Sequence, residues 1–236
     1  GLYTELLETY FEDHEDKDGI FDCITTCLLP NIDLGQKQMQ SFRRCIVAHA
    51  TDLADISVVQ TARTLLASAA ELLEPTAKAL QDSYQQFMFL RTLLEPSLVR
   101  EDTSLRSKHS VPENVRTTFQ ERYVQLMCAH EPGHVADYVG LLQSGDLRLD
   151  RVLPAFEESG VIDAAIVLLA RDGLARDAMD RLIAHVQSQQ HALTSLIEAA
   201  NESPDAEATR ETADDLIEAV QKYTKVGIWL CQGQST

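Results

Sequence analysis

The string His130-Glu131-Pro132-Gly133-His134 satisfies the H-E-x-x-H pattern of zinc peptidases, in which two histidines bind the metal and the glutamate acts as the base. That chemistry needs an unbroken helix, because only successive turns place both imidazoles on one face. Pro132 disfavours the helical conformation at Glu131, and Gly133 weakens the same turn. No further metal-binding residue follows in a recognisable context. The sequence therefore predicts a turn between two helices here and no zinc site.

Cysteine and histidine side chains elsewhere offer two weaker candidates. Cys23 and Cys27 are four residues apart on a predicted helix, which puts two soft ligands on one face, but no second close pair completes a tetrahedral site. We interpret both as thiols packed inside the fold, because free cysteine behaves as a small hydrophobe. His49 has no acidic or metal-binding company in the pattern, so we predict that it packs against a neighbouring helix.

The other common catalytic patterns do not occur in the sequence. It has no phosphate-binding glycine loop, no dinucleotide fingerprint, no nucleophile elbow and no C-x-x-C pair. Neighbouring carboxylates such as Asp214 and Asp215 point to different sides of a helix and do not converge. We therefore predict no catalytic residue, no cofactor, no metal ligand and no enzymatic activity. The sequence does not single out residues that bind a protein partner.

The charge and cysteine content restrict the class of partner and the compartment. A formal net charge of -17 argues against a surface built to neutralise nucleic-acid phosphates and against adhesion to anionic membranes. Five cysteines, an odd number in a chain of this size, favour a reducing cytosolic or nuclear setting. Neither a signal peptide nor an apolar run of membrane-spanning length is present, so no direct membrane insertion is predicted. The start at Gly1 leads us to expect a piece of a longer protein.

The elements that carry these residues are predicted to be helices. Leucine and alanine dominate the apolar residues, and aromatic residues make up only 6% of the chain, which favours an all-α fold with a helix content above about two thirds. Between residues 112 and 190, short apolar segments alternate with turn clusters at 131–133, 144–146, 159–160 and 172–173. Segment 161–170 is apolar almost all round and is predicted to be a central helix. Short helices in series need neighbours to bury them, so the pattern predicts an α-solenoid of stacked antiparallel helix pairs.

The remaining segments suggest a division of the chain into two parts. Further helices are predicted at 2–13, 20–29, 36–50, 55–73, 75–94 and 174–200, and a last one from 213, after an exposed connection or mobile loop at 201–211. Residues 95–111 are polar and aperiodic, and we predict helical hairpins at 1–100, a linker at 101–111 and helical repeats at 112–236. This polar stretch contains a basic island, either a solvated loop or a site for an acidic partner, formed by Arg100, Arg106, Lys108 and His109. The apolar run 228–231 is typical of a repeat array cut between repeats.

The stretch 123–182 carries a resemblance to a known family. A helix ending in a proline-containing turn is followed by a short helix, then by G-x-x-D-A-A-x-x-L-L-x-x-x-G and D-A-x-x-x-L. This rhythm resembles the helical repeat region shared by the clathrin heavy chain and the large vacuolar protein sorting subunits of endosomal tethering complexes, and the similarity covers residues 111–186. The resemblance implies a right-handed superhelix of the clathrin heavy chain or tetratricopeptide type. No functional residue is carried over, because the matching positions are packing and turn residues.

The same resemblance implies a function in membrane traffic. It implies a non-enzymatic scaffold segment of a CORVET-like complex that tethers endosomal membranes together with Rab GTPases and serves protein transport to the vacuole or lysosome. The implied partners are other subunits of the tethering complex and, through the parent protein, an early-endosomal Rab GTPase. The implied location is cytoplasmic and peripheral on endosomal or vacuolar membranes. The alternative is a helical scaffold or adaptor of another assembly, of the coat, proteasome-lid or nuclear-pore type.

Overall fold

The computed structural model of the protein describes residues 2–12, 17–28, 35–98, 111–202 and 206–233. Helices hold 85% of these residues, which exceeds the predicted two thirds. No strand occurs within the described ranges. The all-α fold class predicted from the sequence is therefore confirmed.

Twelve α-helices occur in this part of the chain, and a short 3-10 turn at Ala70–Leu72 precedes the fifth. Their bounds are α1 Leu2–Glu12, α2 Gly19–Cys27, α3 Gln36–Ala48, α4 Ala50–Ser68, α5 Leu73–Ala79, α6 Ser83–Leu94, α7 Glu113–His130, α8 Pro132–Leu141, α9 Leu149–Ser159, α10 Ile162–Arg171, α11 Ala175–Glu202 and α12 Ala206–Gly233.

The helices pack as two compact units, residues 1–126 and 127–236, so α7 contributes to both. In the first unit, α4 packs against α2, α5 and α6, and α1 packs against α3. In the second unit, α10 packs against α8, α9 and α11, and α11 packs against α12. Packing between helices that are near one another in the chain is the arrangement of an α-solenoid. The predicted linker at 101–111 lies almost wholly outside the described residues, so the division at that point stays a prediction.

The central position predicted for segment 161–170 is confirmed. Its helix, α10, buries five residues among its neighbours, namely Ala164, Ala165, Ile166, Leu168 and Leu169. Two of them, Ile166 and Leu169, form an apolar cluster with Leu182 of α11 and Tyr223 of α12. A helix covered on several sides is stable because it buries apolar surface all round, which explains why its sequence has almost no polar face.

Three of the four predicted turns contain a left-handed glycine. Gly145, Gly160 and Gly173 have φ angles of 88°, 70° and 81°, which a residue without a Cβ adopts at little cost. The fourth, Gly133, does not have this role, because it lies inside the first turn of α8. Pro132 explains the difference, since its fixed φ angle favours the first position of a helix and lets α8 begin at once.

The helix predicted at 55–73 is wrong in its bounds and its continuity. α4 begins at Ala50 and ends at Ser68, and its backbone is non-helical at Ser57, with φ −160° and ψ 109°. The Ser57 hydroxyl accepts a hydrogen bond of 3.2 Å from the Gln60 amide, as a residue that caps a helix does. The buried Thr61 hydroxyl donates to the Ser57 carbonyl, at 2.7 Å. Local side-chain hydrogen bonds therefore satisfy the backbone where α4 bends.

The helix predicted at 75–94 is also wrong, because it is two helices. α5 ends at Ala79, and Leu80 is extended with ψ 117°. α6 then begins at Ser83, after Asp82, whose carboxylate accepts a hydrogen bond of 2.7 Å from the Gln85 amide. A capping aspartate at this position satisfies an amide that the helix leaves unpaired and favours a new helix start.

The exposed connection predicted at 201–211 is shorter than expected. α11 continues to Glu202, and α12 begins at Ala206, so most of this segment is helical. Its alanine, glutamate and arginine residues have high intrinsic helix propensity. This propensity outweighs the polar character on which the prediction of a loop depended.

Replacing Ala165 with leucine is expected to lower the free energy of unfolding by about 1 to 3 kcal/mol, because added volume cannot be accommodated in a packed interior. Ala165 is 1% exposed. The matched control is Ala129→Leu, at an exposed position of α7, which should change stability by less than about 0.5 kcal/mol. Urea denaturation of both variants measures the difference, and equal midpoints would show that α10 tolerates the larger side chain.

Candidate interaction surfaces

The H-E-x-x-H string lies at a break between two helices, as the sequence predicts. His130 is the last residue of α7, and His134 lies in the first turn of α8. Glu131 between them is outside the helical region, with φ −142° and ψ 64°. The two imidazoles therefore belong to different helices, and the arrangement on which the peptidase chemistry depends is not formed.

The cysteine pair on α2 consists of two packed thiols. Cys27 is buried and Cys23 is half-buried. Burial, together with the charge and hydrogen bond of the neighbouring Cys27, raises the pKa of Cys23 to about 11. Such a thiol is almost fully protonated at neutral pH, which makes it a poor nucleophile. Among the described residues, no three His, Cys, Asp or Glu side chains are placed to share a metal ion.

His49 packs against a neighbouring helix, as predicted. Its ring stacks on Phe11 of α1, with ring centroids 4.7 Å apart and planes inclined by 26°. The expectation that it has no acidic neighbour is wrong, since its Nδ1 atom lies 2.7 Å from Asp52 Oδ2. The reason is that α3 ends at Ala48 and α4 begins at Ala50, which puts Asp52 in the first turn of the following helix, next to His49.

The basic island predicted from the sequence lies outside the described residues, so both of its interpretations stay predictions; its members are Arg100, Arg106, Lys108 and His109. Within the described ranges, several basic side chains are paired with acidic ones. Arg43 lies 2.8 Å from Glu71, and Lys78 lies 2.6 Å from Glu74. Exposed pairs of this kind add little to stability.

No helix in the described part of the chain is both long enough and apolar enough to cross a bilayer.

A polar cluster links three helices of the second unit. The Lys222 ammonium of α12 donates a hydrogen bond of 2.6 Å to the Asp163 carboxylate of α10. Next to Lys222, the Tyr223 ring meets the His185 ring of α11 edge to face, with centroids 4.3 Å apart. The hydrogen bond to Asp163 is the main reason that the pKa of Lys222 is raised. These groups tie α10, α11 and α12 together beside the apolar cluster.

The second unit is expected to lose stability as the pH falls below about 6.5, the usual pKa of histidine in an unfolded chain. Burial lowers the pKa of His185 in the folded protein, although the nearby Asp163 charge acts in the opposite direction. The unfolded chain therefore binds the proton first. As the pH falls, the free energy of unfolding decreases until the pH reaches the lower pKa that His185 has in the folded protein. Urea midpoints of the parent and His185→Phe between pH 5 and 8 test this. The variant should have the shallower dependence on pH, and identical slopes would contradict the prediction.

An apolar groove of about 490 Å³ runs between α11 and α12. Met179, Leu182, Ile183 and Val186 line it from α11, and none of the residues that line it, all of them described, is charged. The helices approach closely at Gly227, where a Cβ atom would lie 3.0 Å from Leu182 Cδ2. The groove is an apolar surface suited to a helix, but its lining has no charge that would select one.

The apolar run 228–231 is partly buried. Leu230 is 4% exposed and belongs to the core, whereas Ile228 and Trp229 are 53% and 51% exposed. The helical repeat explains this difference, because neighbouring residues of α12 project in directions about 100° apart. Of the run that the sequence interprets as the end of a repeat array cut between repeats, only Ile228, Trp229 and Cys231 are exposed.

Sequence reasoning missed most of the surface residues described above. A signal for them exists, since Ile183, Ile197 and Ile217 are apolar residues on helices that are otherwise rich in polar ones, and all three are more than 40% exposed. The pattern alone cannot separate these positions from core positions. Their exposure depends on which helices cover α11 and α12.

Comparisons with known proteins show that the chain is similar in sequence to a vacuolar sorting protein. A family model described as VPS8-like, TPR-like repeats matches residues 209–236, a range that includes most of α12. Over 235 residues, the chain is 23% identical to the vacuolar protein sorting-associated protein 8 homolog of Mus musculus, covering 99% of this chain and 15% of that protein. Over 221 residues it is 21% identical to the Homo sapiens homolog, covering 93% of this chain and 15% of that protein.

These matches confirm the predicted resemblance to a large vacuolar protein sorting subunit. The two relatives cover the stretch that carried it, whereas the family model matches a later helix. No solved structure matches the chain. The chain is thus similar to vacuolar protein sorting-associated protein 8 and spans 15% of the length of these relatives.

Proposed function

We propose that the chain is a non-enzymatic scaffold segment of a CORVET-like endosomal tethering complex. It acts through protein–protein contacts in Rab-dependent tethering and fusion of vesicles, and in transport from endosomes to the vacuole or lysosome. The observation that carries the proposal is the similarity to a vacuolar protein sorting-associated protein 8 homolog over 99% of this chain. The helical architecture supports it, because stacked short helices present extended surfaces to other subunits.

The proposed partners are other subunits of the tethering complex and, through the full-length protein, an early-endosomal Rab GTPase. The proposed location is cytoplasmic, peripheral on endosomal or vacuolar membranes. The formal net charge of -17 supports protein partners over nucleic acid, whose binding requires cationic groups to neutralise phosphates. Because the chain spans 15% of its relatives, the Rab contact and the location are proposed for the full-length protein.

Affinity capture tests this function in the full-length protein that contains the chain. The tagged parent should recover a fixed set of vacuolar sorting subunits, and a variant that lacks residues 1–236 should lose at least one of them. Glu158→Ala, at an exposed position of α9, is the control that should retain the whole set. Recovery of coat, proteasome-lid or nuclear-pore subunits instead would support the alternative assembly. A deletion variant with the complete set would contradict a scaffold role for this chain.

A further inference from the structure

A second groove, between α9 and α11, combines an apolar floor with an acidic edge. We refer to it as the α9–α11 groove, and its volume is about 510 Å³. Leu149 and Leu153, one turn apart on α9, form one wall, and Leu169 forms the floor. Leu174, at the start of the other wall, is 40% exposed. The exposed Leu174 and the half-buried Leu149 and Leu153 offer apolar surface to a binding partner, whereas Leu169 is buried beneath them.

The wall formed by α11 repeats at helical spacing. Leu174 directly precedes α11, and Asp177, Asp180, Arg181 and Ala184 follow on it, so each member has another three or four residues away on the same side of the helix. The ten residue steps from Leu174 to Ala184 rise about 15 Å, which is close to three helical turns. A groove of this length beside parallel rows of side chains fits a short helix that inserts one apolar ridge.

The charges at the edge indicate which kind of helix this is. Arg181 is paired with Glu157 of α9, so its charge is already balanced. Asp177 and Asp180 line the same wall and are exposed, and they form no ion pair among the described residues. Two uncompensated carboxylates beside an apolar floor favour a partner with cationic groups next to its apolar ridge and disfavour an acidic one.

We infer that the α9–α11 groove docks a short amphipathic helix of a partner protein, with leucine-sized side chains on one face and lysine or arginine residues flanking them. This inference rests on the proposed scaffold function and names the chemistry of one partner segment. Apolar contacts with Leu149, Leu153 and Leu174 contribute the affinity for this helix. Asp177 and Asp180 make the groove selective for a basic helix over an acidic one.

The test measures fluorescence anisotropy of two labelled peptides with the purified 236-residue chain. Each peptide has about 16 residues, enough for four turns, and carries leucines at helical spacing. One has flanking lysines, and the other has glutamate at each of those positions. The lysine peptide is expected to bind at least about tenfold more tightly at low salt. Because the whole chain is acidic, this preference alone does not locate the site.

Charge-reversal variants locate the binding site. Asp177→Lys/Asp180→Lys should reverse the preference, whereas Asp214→Lys/Asp215→Lys, the same charge change at exposed positions of α12, should keep it. Asp177 lies in the first turn of α11, where a lysine weakens the helix. Asp180→Lys alone therefore serves as the second variant, with its fold checked by circular dichroism, and should remove most of the preference.

Three outcomes would overturn the inference. Binding of neither peptide would exclude helix docking, and an unchanged preference in Asp180→Lys would place the site elsewhere. Concentration-dependent self-association that Asp180→Lys abolishes, without any peptide preference, would assign the groove to a second copy of the chain. Because the peptide assay uses only the isolated chain, a negative result would contradict the docking inference without affecting the subunit capture experiment. The docking inference and the proposed scaffold function can therefore be contradicted independently.

Discussion

Replacing Tyr123 with alanine is expected to lower the free energy of unfolding of the first unit by about 3 to 5 kcal/mol, the usual loss for a large buried aromatic side chain. Tyr123 is 0% exposed, and its ring stacks on the buried Phe87 ring, with centroids 5.6 Å apart and planes inclined by 14°. Its hydroxyl donates a hydrogen bond of 2.5 Å to Glu95 at the end of α6. The substitution removes ring packing and this polar link between α7 and α6.

Two variants separate these contributions. Tyr123→Phe keeps the ring and removes the hydrogen bond to Glu95, so a loss of about 1 kcal/mol is expected. Tyr84→Ala is the matched control, because Tyr84 lies on the same helix as Phe87 but is 56% exposed. It should cost less than about 1 kcal/mol. Urea denaturation followed by circular dichroism measures all three, and similar losses for Tyr123→Ala and Tyr84→Ala would disprove the central role of Tyr123.

The turns of the second unit were predictable because glycine restricts the possible backbone conformations. Gly145, Gly160 and Gly173 each follow an apolar segment, and a residue with positive φ commonly ends a helix. The burial of α10 was predictable for a related reason, since a helix without a polar face needs cover on all sides. Both predictions depend on local properties of the chain, which a single sequence contains.

The two helix breaks in the first unit had a sequence signal that the predictions overlooked. Ser57 and Asp82 are each followed three residues later by a glutamine, which is the spacing of a capping box. In the structure, the side chain of each accepts a hydrogen bond from the amide at that third position. Apolar periodicity continues through both sites and therefore hides the breaks.

The two grooves could not be predicted from the sequence. Phe156 and Ile183 both lie at helical spacing among apolar residues, yet Phe156 is 0% exposed, whereas Ile183 lines the α11–α12 groove and is 48% exposed. The difference arises from the packing of α9, α11 and α12 in the second unit. A sequence states which residues are apolar, but the arrangement of the helices decides which of them stay accessible.

Replacing Arg171 with alanine is expected to lower the free energy of unfolding of the second unit by about 2 to 4 kcal/mol. The Arg171 side chain is 18% exposed and extends from the end of α10 to the end of α8. Its Nη1 atom donates hydrogen bonds to the carbonyl oxygens of Val139 and Leu142, at 2.8 and 2.7 Å. These carbonyls lie at the end of α8, where a helix leaves its last oxygens unpaired and favours a cation.

A second contact also joins the end of α8 to the end of α10, and it is weaker than the contact made by Arg171. Asp172, beside Arg171, accepts a hydrogen bond of 3.0 Å from Ser144 in the connection after α8. Ser144→Ala removes only this exposed contact and should cost less than about 1 kcal/mol. Arg171 holds the helix end itself, and its loss leaves the Leu142 carbonyl oxygen without a donor, whereas Val139 keeps the hydrogen bond from the Leu142 amide. An unpaired carbonyl oxygen costs more than the loss of one exposed hydrogen bond.

Fluorescence of Trp229, the single tryptophan of the chain, reports unfolding of the second unit during urea denaturation. Arg171→Lys keeps the charge but lacks the planar guanidinium that reaches two carbonyl oxygens, so it should fall between the parent and Arg171→Ala. Arg176→Ala, at an exposed position of α11, is the control for removal of an arginine and should leave the midpoint nearly unchanged. If Arg171→Ala and Arg176→Ala have the same midpoint, the carbonyl contacts contribute no net stability, and the packing of α8 against α10 depends on apolar contacts alone.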